Sequence, residues 1–430
     1  MATIKCTAAG DAMIFRKLPG LYEGFSEVRD YIAKGDLRFV NLETTVHNFE
    51  TFGNAESGGS WFCTRPAVLE DVKQFGFNML STANNHAMDY GHAGLVKTLE
   101  YIEKAGLQTC GTGRNLAEAS APVYLETPAG RIAVIGASSS FHPADMAGTQ
   151  SPSMIGRPGL NGIRNAQYYT LPKADFEILE RIAGDIQINT ALEISRKEGY
   201  SPALPEGTLS FGPLQFRMED SAGNVTRVHE GDLKRVLNSI REAHFMADYV
   251  VVAMHSHQLS GDSKEQPAQF LQEFSRRCID GGADAIVGTG PHLLRPIEIY
   301  KGKPIFYSLG DFIIQLETPE NVPADMFEKQ GLGADAGMDT MFNKRSKNGT
   351  RGLYYTKVMF ESVIPYWEVT DGKLTKLTLM PIELNFDKPK SQGGWPRICK
   401  GQGILERLAA MSESYGTKMT IRDGIGEIEL

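Results

Sequence analysis

Residues Asn84-Asn85-His86-Ala87-Met88-Asp89-Tyr90-Gly91 stand between two stretches that demand different local structures. The run before them, Phe77 to Ala83, reads as a buried strand ending at a polar tip. The run after them, His92 to Gly106, repeats Leu95, Leu99 and Ile102 at helical spacing. Two amides, an imidazole and a carboxylate therefore occupy a strand-to-helix loop. A chain built from such units is α/β, and in open α/β sheets ligands bind beyond the carboxyl ends of the strands. Asn and Asp also suit loops for turn reasons alone, so this loop does not decide function by itself.

Other strand ends carry similar groups. The first strand, residues 3–9, ends at Gly10-Asp11, and a short strand over Arg38 to Val40 places Glu43 just past its end. The wholly apolar run Tyr249 to Met254 ends in His255-Ser256-His257, and Ala285-Ile286-Val287 leads to Gly290-Pro291-His292. A core histidine needs no partner of its own type, so paired histidines after a buried strand point to metal ligation or acid–base work. Asp11, Glu43, Asn85, His86, His255, His257 and His292 form a mixed oxygen and nitrogen set suited to Zn, Mn or Fe, as one or two divalent ions. A two-metal site needs a bridging carboxylate, for which Glu43 is the candidate, with ions roughly 3.5–4 Å apart. His86 is the candidate proton donor to a leaving group. Asp89 is grouped with it, although it also suits the turn and the cap of the next helix. Arg157, Arg164 and Arg295, with Asn84, are the candidates for holding a substrate carboxylate or phosphate. For Arg157 and Arg164, solvated charges on a loop are an equal alternative.

The 430 residues read as one domain with embellishments: an insertion over the site at 143–231, a flexible loop or lid at 316–351, and C-terminal strands and a helix over 352–430. A helix is expected from Lys173 to Lys197, and a mobile glycine-rich loop from His47 to Ser60. Gly111-Thr112-Gly113 lacks a complete dinucleotide fingerprint and reads as a turn. The net charge of −8 argues against a nucleic-acid partner. Five scattered cysteines lack zinc spacing and read as reduced thiols. No run approaches the roughly 18 apolar residues of a membrane helix, and the first residues enter a strand directly, so the sequence as given reads as cytoplasmic. The expected partner is a small-molecule or peptide substrate bearing carboxylate or phosphate, with a homo-oligomer left open.

The motif order GDxM, NLE, ANNHxxDYG, an apolar strand ending in His, GxDxxxGxxPHxxxxxE and FYSLGDF resembles the capsule-synthesis protein CapA family over roughly residues 3–142 and 232–315. This family is named for poly-γ-glutamate capsule biosynthesis and is a branch of the calcineurin-like metallophosphoesterase superfamily. The resemblance implies a four-layer α/β/β/α sandwich of two mixed sheets with a di-metal site on its loops. It also implies that Asp11 and His292 bind a first metal, that Asn85 and His255 serve a second, that Glu43 replaces the usual bridging aspartate, and that His86 is the general acid. Three departures stand out. Met13 replaces the histidine of the superfamily's DxH, Gly290 replaces the first histidine of HPH, and Ser256-His257 replaces Trp-Gly. We expect His257 to take over from the ligand lost at Gly290.

Three functions follow from this reading. The first is a metal-dependent hydrolase of an amide or γ-glutamyl-type bond, the second a phosphoester hydrolase, and the third a non-catalytic accessory protein of poly-γ-glutamate metabolism. Family members in capsule assembly are usually anchored outside the membrane, so the chain as given is expected to act on a small molecule or peptide.

Overall fold

A computed structural model describes the chain except for Met1, Leu21, Glu317, Thr318 and Ala334. Two mixed sheets, of ten and six strands, dominate the structure. In the larger, strand Thr3–Met13 runs parallel to Leu37–Leu42, which is followed outward by Met79–Ser81 and Gln108–Cys110. On its other side it pairs antiparallel with Glu361–Thr370, and Lys373–Glu383 and the hairpin Met419–Arg422/Ile425–Ile428 continue the sheet. In the smaller sheet the parallel strands Gly130–Ser138, Tyr249–His255, Ala285–Thr289 and Lys303–Leu309 are flanked antiparallel by Val123–Thr127 and Leu294–Tyr300.

Side-chain alternation explains how the sheets meet. Ile4, Cys6, Ala8, Leu37 and Phe39 of the larger sheet share one apolar cluster with Ile132, Val134, Val251, Ala253 and Val287 of the smaller. The intervening residues point the other way. Ala9, Val40 and Leu80 pack with Val28, Ile32, Val72 and Ile102 of helices, while Val250, Val252 and Ile286 pack with Val236, Ile240, Phe270 and Phe274. Strands covered on both faces must be apolar throughout, which accounts for the run Tyr249 to Met254. Each such aliphatic side chain, once buried, contributes about 1.5–3 kcal/mol of burial free energy.

Near its end the first strand changes neighbour. Asp11 stands in parallel register with Asp311, the first residue of strand Asp311–Ile314, and its amide donates to the Gly310 carbonyl at 3.0 Å. A β-carbon on Gly10 would lie 1.8 Å from that carbonyl oxygen, so only glycine permits the approach.

Two of the embellishments carry more regular structure than the sequence suggests. Residues 143–231 contain a four-stranded sheet (Asn165–Leu171, Thr208–Phe211, Leu214–Met218, Gly223–Val228). The expected single helix over Lys173 to Lys197 is two helices, Lys173–Asp185 and Thr190–Lys197. The break has a cause: Gln187 is left-handed, and Asn189 turns its side chain onto Ser210 and Gly212 of the adjoining hairpin. The 316–351 segment carries helices Ala324–Glu328 and Met338–Ser346, whose Met326, Phe327, Met341 and Phe342 pack on Trp61, Cys63 and Tyr90. Gly111 to Gly113 is more than a turn, since Thr112–Gly113 pairs with Gly159–Leu160. The five cysteines are all free. Among the described residues no helix is long and apolar enough to cross a membrane.

Candidate metal centre

The strand ends converge on Glu43. Its Oε1 lies 3.9 Å from His86 Nε2, 3.8 Å from His255 Nε2 and 3.9 Å from His292 Nε2. Neither Glu43 oxygen has a hydrogen-bond partner, and the residue is wholly buried. A buried carboxylate without a partner costs several kcal/mol, and ordinarily such groups are paired or coordinate a metal. Burial, then the charges of Asp11, Asp311 and Asp89, pushes its pKa well above the usual carboxylate range.

Around it the donors form overlapping sets. Asp11, Glu43 and His255 bring ligand atoms within 4.8 Å of one another, as do Asp11, His292 and Asp311, and Glu43, His257 and His292. Asp11 is oriented from both sides: Asn41 Nδ2 donates to one oxygen at 2.7 Å and the Gly290 amide to the other at 2.8 Å. His255 Nδ1 lies 3.0 Å from Thr289 Oγ1, and Asn85 Oδ1 lies 2.7 Å from His255 Nε2 and 3.1 Å from His257 Nε2. The Thr289 contact, on the ring nitrogen turned away from Glu43, is of the kind that fixes ring orientation around a metal.

Burial and neighbouring charges act on the donors in both directions. Burial lowers the His255 pKa despite Asp11, and burial with the neighbouring imidazoles holds His257 well below the usual range, so both rings are neutral donors. Burial would also lower His292, but Asp311, whose Oδ1 is 3.0 Å from its Nδ1, leaves it raised. Burial pushes Asp311 up to about 6 even though His292 opposes the shift. Asp11 is lowered, because contacts with His255 and the charge of His292 outweigh its burial.

His86 is built differently. Its Nδ1 lies 2.6 Å from Asp89 Oδ2, and its ring stacks on Phe62 at 3.6 Å between centroids. Asp89 accepts further hydrogen bonds from the Phe62 and Gly58 amides at 2.6 and 2.9 Å. Asn54 N also donates to Asp89 O, and Asn85 Nδ2 to Gly58 O. The 47–60 loop, expected to be mobile, is thus fastened to the 84–91 loop.

The four substrate-binding candidates are engaged elsewhere. Arg157 donates to the Met146 carbonyl, and Arg164 makes a two-pronged contact with Asp232 at 2.8 and 3.0 Å. Arg295 is wholly buried beneath the 256–258 loop and donates to the carbonyls of Ser256, His257, Gln258 and Lys264. Asn84 ties Leu42 O to the His86 amide. Sequence reasoning missed Asp311 and Asn41. The pair Gly310-Asp311 repeats Gly10-Asp11 at a second strand junction, and that repeat is the signal for Asp311.

The family model of the bacterial capsule synthesis protein PGA_cap matches residues 5–316, a span that holds every residue of this cluster. The chain belongs to this family. Its expected resemblance is thereby confirmed. It is 33% identical over 438 residues to the uncharacterized protein y4sH of Sinorhizobium fredii, covering 98% of this chain and 92% of that one. It is 29% identical over 250 residues to the PGA biosynthesis protein CapA of Bacillus subtilis, covering 58% of this chain and 46% of that one. A probable polyglutamine synthesis accessory protein of Mycobacterium tuberculosis is 25% identical over 289 residues, covering 66% and 56%.

Proposed function

We propose that this capsule-synthesis family member is a metal-dependent hydrolase of an amide or γ-glutamyl-type bond. The reading implies the four-layer arrangement and a centre for one or two divalent ions (Zn, Mn or Fe). The observation that carries it is Glu43, buried and unpartnered inside a ring of three imidazoles. Asp11, Glu43, Asn85, His255, His257, His292 and Asp311 would hold the ions. A cation bound there supplies charge that polarises a scissile carbonyl or phosphoryl oxygen and acidifies water.

The remaining chemistry belongs to the chain itself. Asp89 holds His86 by Nδ1, which leaves Nε2 facing the cluster as the group that gives a proton to the leaving amine. Phe62 covers one face of the ring. Arg295 is a positioning residue, because the carbonyls it gathers belong to the loop that carries His257.

A second reading, an accessory protein with a reduced site, draws on the absence of imidazoles at Met13 and Gly290 and on the description of the Mycobacterium tuberculosis relative. Elemental analysis of the purified protein, followed by assays of γ-glutamyl amides against p-nitrophenyl phosphate with and without the metal found, separates the readings. Metal-dependent amide turnover is expected. Phosphoester turnover alone would move the chemistry to the alternative hydrolase, and neither metal nor turnover would favour the accessory role.

A further inference from the structure

Two groups of the centre answer to the backbone of one residue. The Gly58 amide donates to Asp89 Oδ1 at 2.9 Å, and the Gly58 carbonyl accepts from Asn85 Nδ2 at 2.8 Å. Among the described residues no other donor reaches Asp89 Oδ1 and no other acceptor reaches Asn85 Nδ2. A carboxamide carries an oxygen on one side and an NH₂ on the other, so the partner of its NH₂ settles which way it faces. A carbonyl at Gly58 accepts only, and Asn85 therefore turns Oδ1 inward, to His255 and His257 at 2.7 and 3.1 Å. Turned over, Asn85 would present an NH₂, which has no lone pair for a cation. Asp89 is set in the same manner. With Oδ1 taken by Gly58, Oδ2 is left to His86 Nδ1 and the Phe62 amide, each at 2.6 Å.

Contact, and not backbone conformation, requires glycine here. Gly58 is not left-handed, but a β-carbon on it would stand 2.5 Å from Asn85 O and 2.7 Å from Asn85 Nδ2. Any side chain would push this residue from both partners at once. The 54–62 segment that carries it is also held from its far side. Trp61 is wholly buried among Met326, Phe327, Met341 and Phe342, and its Nε1 donates to Asn54 O at 2.8 Å.

We propose that Gly58 is a positioning residue for both halves of the centre: its carbonyl aims the Asn85 oxygen at the cation site, and its amide reserves Asp89 Oδ2 for His86. The proposal rests on the metal-dependent hydrolase reading. It couples a ligand to the proton donor, so that a shift of one backbone residue displaces both.

Gly58→Ala tests it in the metal-free full chain, titrated with zinc by calorimetry. Zinc affinity should fall about 10–100-fold, the usual effect of losing a group that orients a ligand. In an Asn85→Ala background the same substitution should cost no further affinity, because the ligand it aims is gone. Unchanged affinity in the single variant, or additive losses in the double variant, overturns the proposal. In metal-saturated protein kcat should fall with KM unchanged; a rise in KM alone would overturn the part concerning His86. Where Gly58→Ala does not fold, Gly59→Ala strains the same turn through its φ of 126° while its β-carbon meets nothing within 4 Å. It should weaken zinc binding to a smaller degree, and unchanged binding would again count against the proposal. A parent chain that binds zinc without turnover removes the hydrolase reading and leaves the titration to decide. A parent that binds no zinc removes the metal reading, and a crystal structure of Gly58→Ala then decides the positioning alone: Asn85 turned from His255 upholds it, and Asn85 unmoved refutes it.

Discussion

Gly290 and Ser256 approach so closely that a β-carbon on Gly290 would stand 2.8 Å from the Ser256 amide nitrogen and 2.9 Å from its carbonyl carbon. Gly290 also has a φ of 121°, a conformation other residues adopt only under strain. The histidine absent at 290 and the histidine present at 257 are therefore linked: the backbone that delivers His257 fills the space a side chain at 290 would need. Gly290→His should not restore a ligand. It should displace the 255–258 loop and destabilise the fold by about 2–4 kcal/mol, the range of overpacking with backbone strain, as read by denaturant unfolding. A variant as stable as the parent with more bound metal would contradict the linkage.

His257→Ala should lower the metal content of the purified protein while leaving the Asp11, His292 and Asp311 group in place. Elemental analysis measures this directly, and an unchanged metal-to-protein ratio would remove His257 from the ligand set.

Glu43→Gln separates stability from ligation. In metal-free protein the substitution replaces an unpartnered buried carboxylate by a neutral amide and should raise the melting temperature. In the same variant metal affinity should fall by at least about tenfold, since a ligand carboxylate is lost. A lower melting temperature in the metal-free state would show that the carboxylate is satisfied in a way the structure does not show.

His86→Gln should reduce turnover by about 10²–10⁴-fold, the usual worth of a positioned general acid, with metal content unchanged. Parallel loss of metal would make His86 a ligand instead.

Acid stability should depend on Asp232. Burial alone would raise its pKa, but hydrogen bonds from Arg164 and Arg235 bring it down to about 2. A carboxyl depressed in the folded state contributes stability that is present above its unfolded value, about 3.9, and is lost as pH falls toward 2. Asp232→Asn should destabilise the protein at pH 7 by about 1 kcal/mol, the upper end for pairs whose cation is solvated, because Arg164 is half exposed and rehydrates when its partner goes. It should also flatten the unfolding curve between those two pH values. An acid limb identical to the parent's would place the sensitivity elsewhere.

Much of the centre was legible because strand ends are the one place where a short polar motif must face the same rim, so Asp11, Glu43, Asn85, His86, His255, His257 and His292 gather as their positions suggest. Asn41 was hidden because it lies within strand Leu37–Leu42, where sequence pattern speaks of packing rather than chemistry. The arginines misled because a guanidinium's partner is chosen in three dimensions: Arg164 meets Asp232, 68 residues away, and Arg295 meets carbonyls that no motif records. The sheet within 143–231 escaped notice because its strands are short and partly exposed, so their alternation is faint.

The register that sets Asp11 opposite Asp311 has a consequence for biogenesis. Donors to one centre come from the eleventh residue of the chain and from the three hundred and eleventh, with the others between them. While the chain is still leaving the ribosome, no part of it shorter than that span can close the full set of ligands. An ion held by the full set would thus have to wait for residue 311, and would tie strand Thr3–Met13 to one made some three hundred residues later.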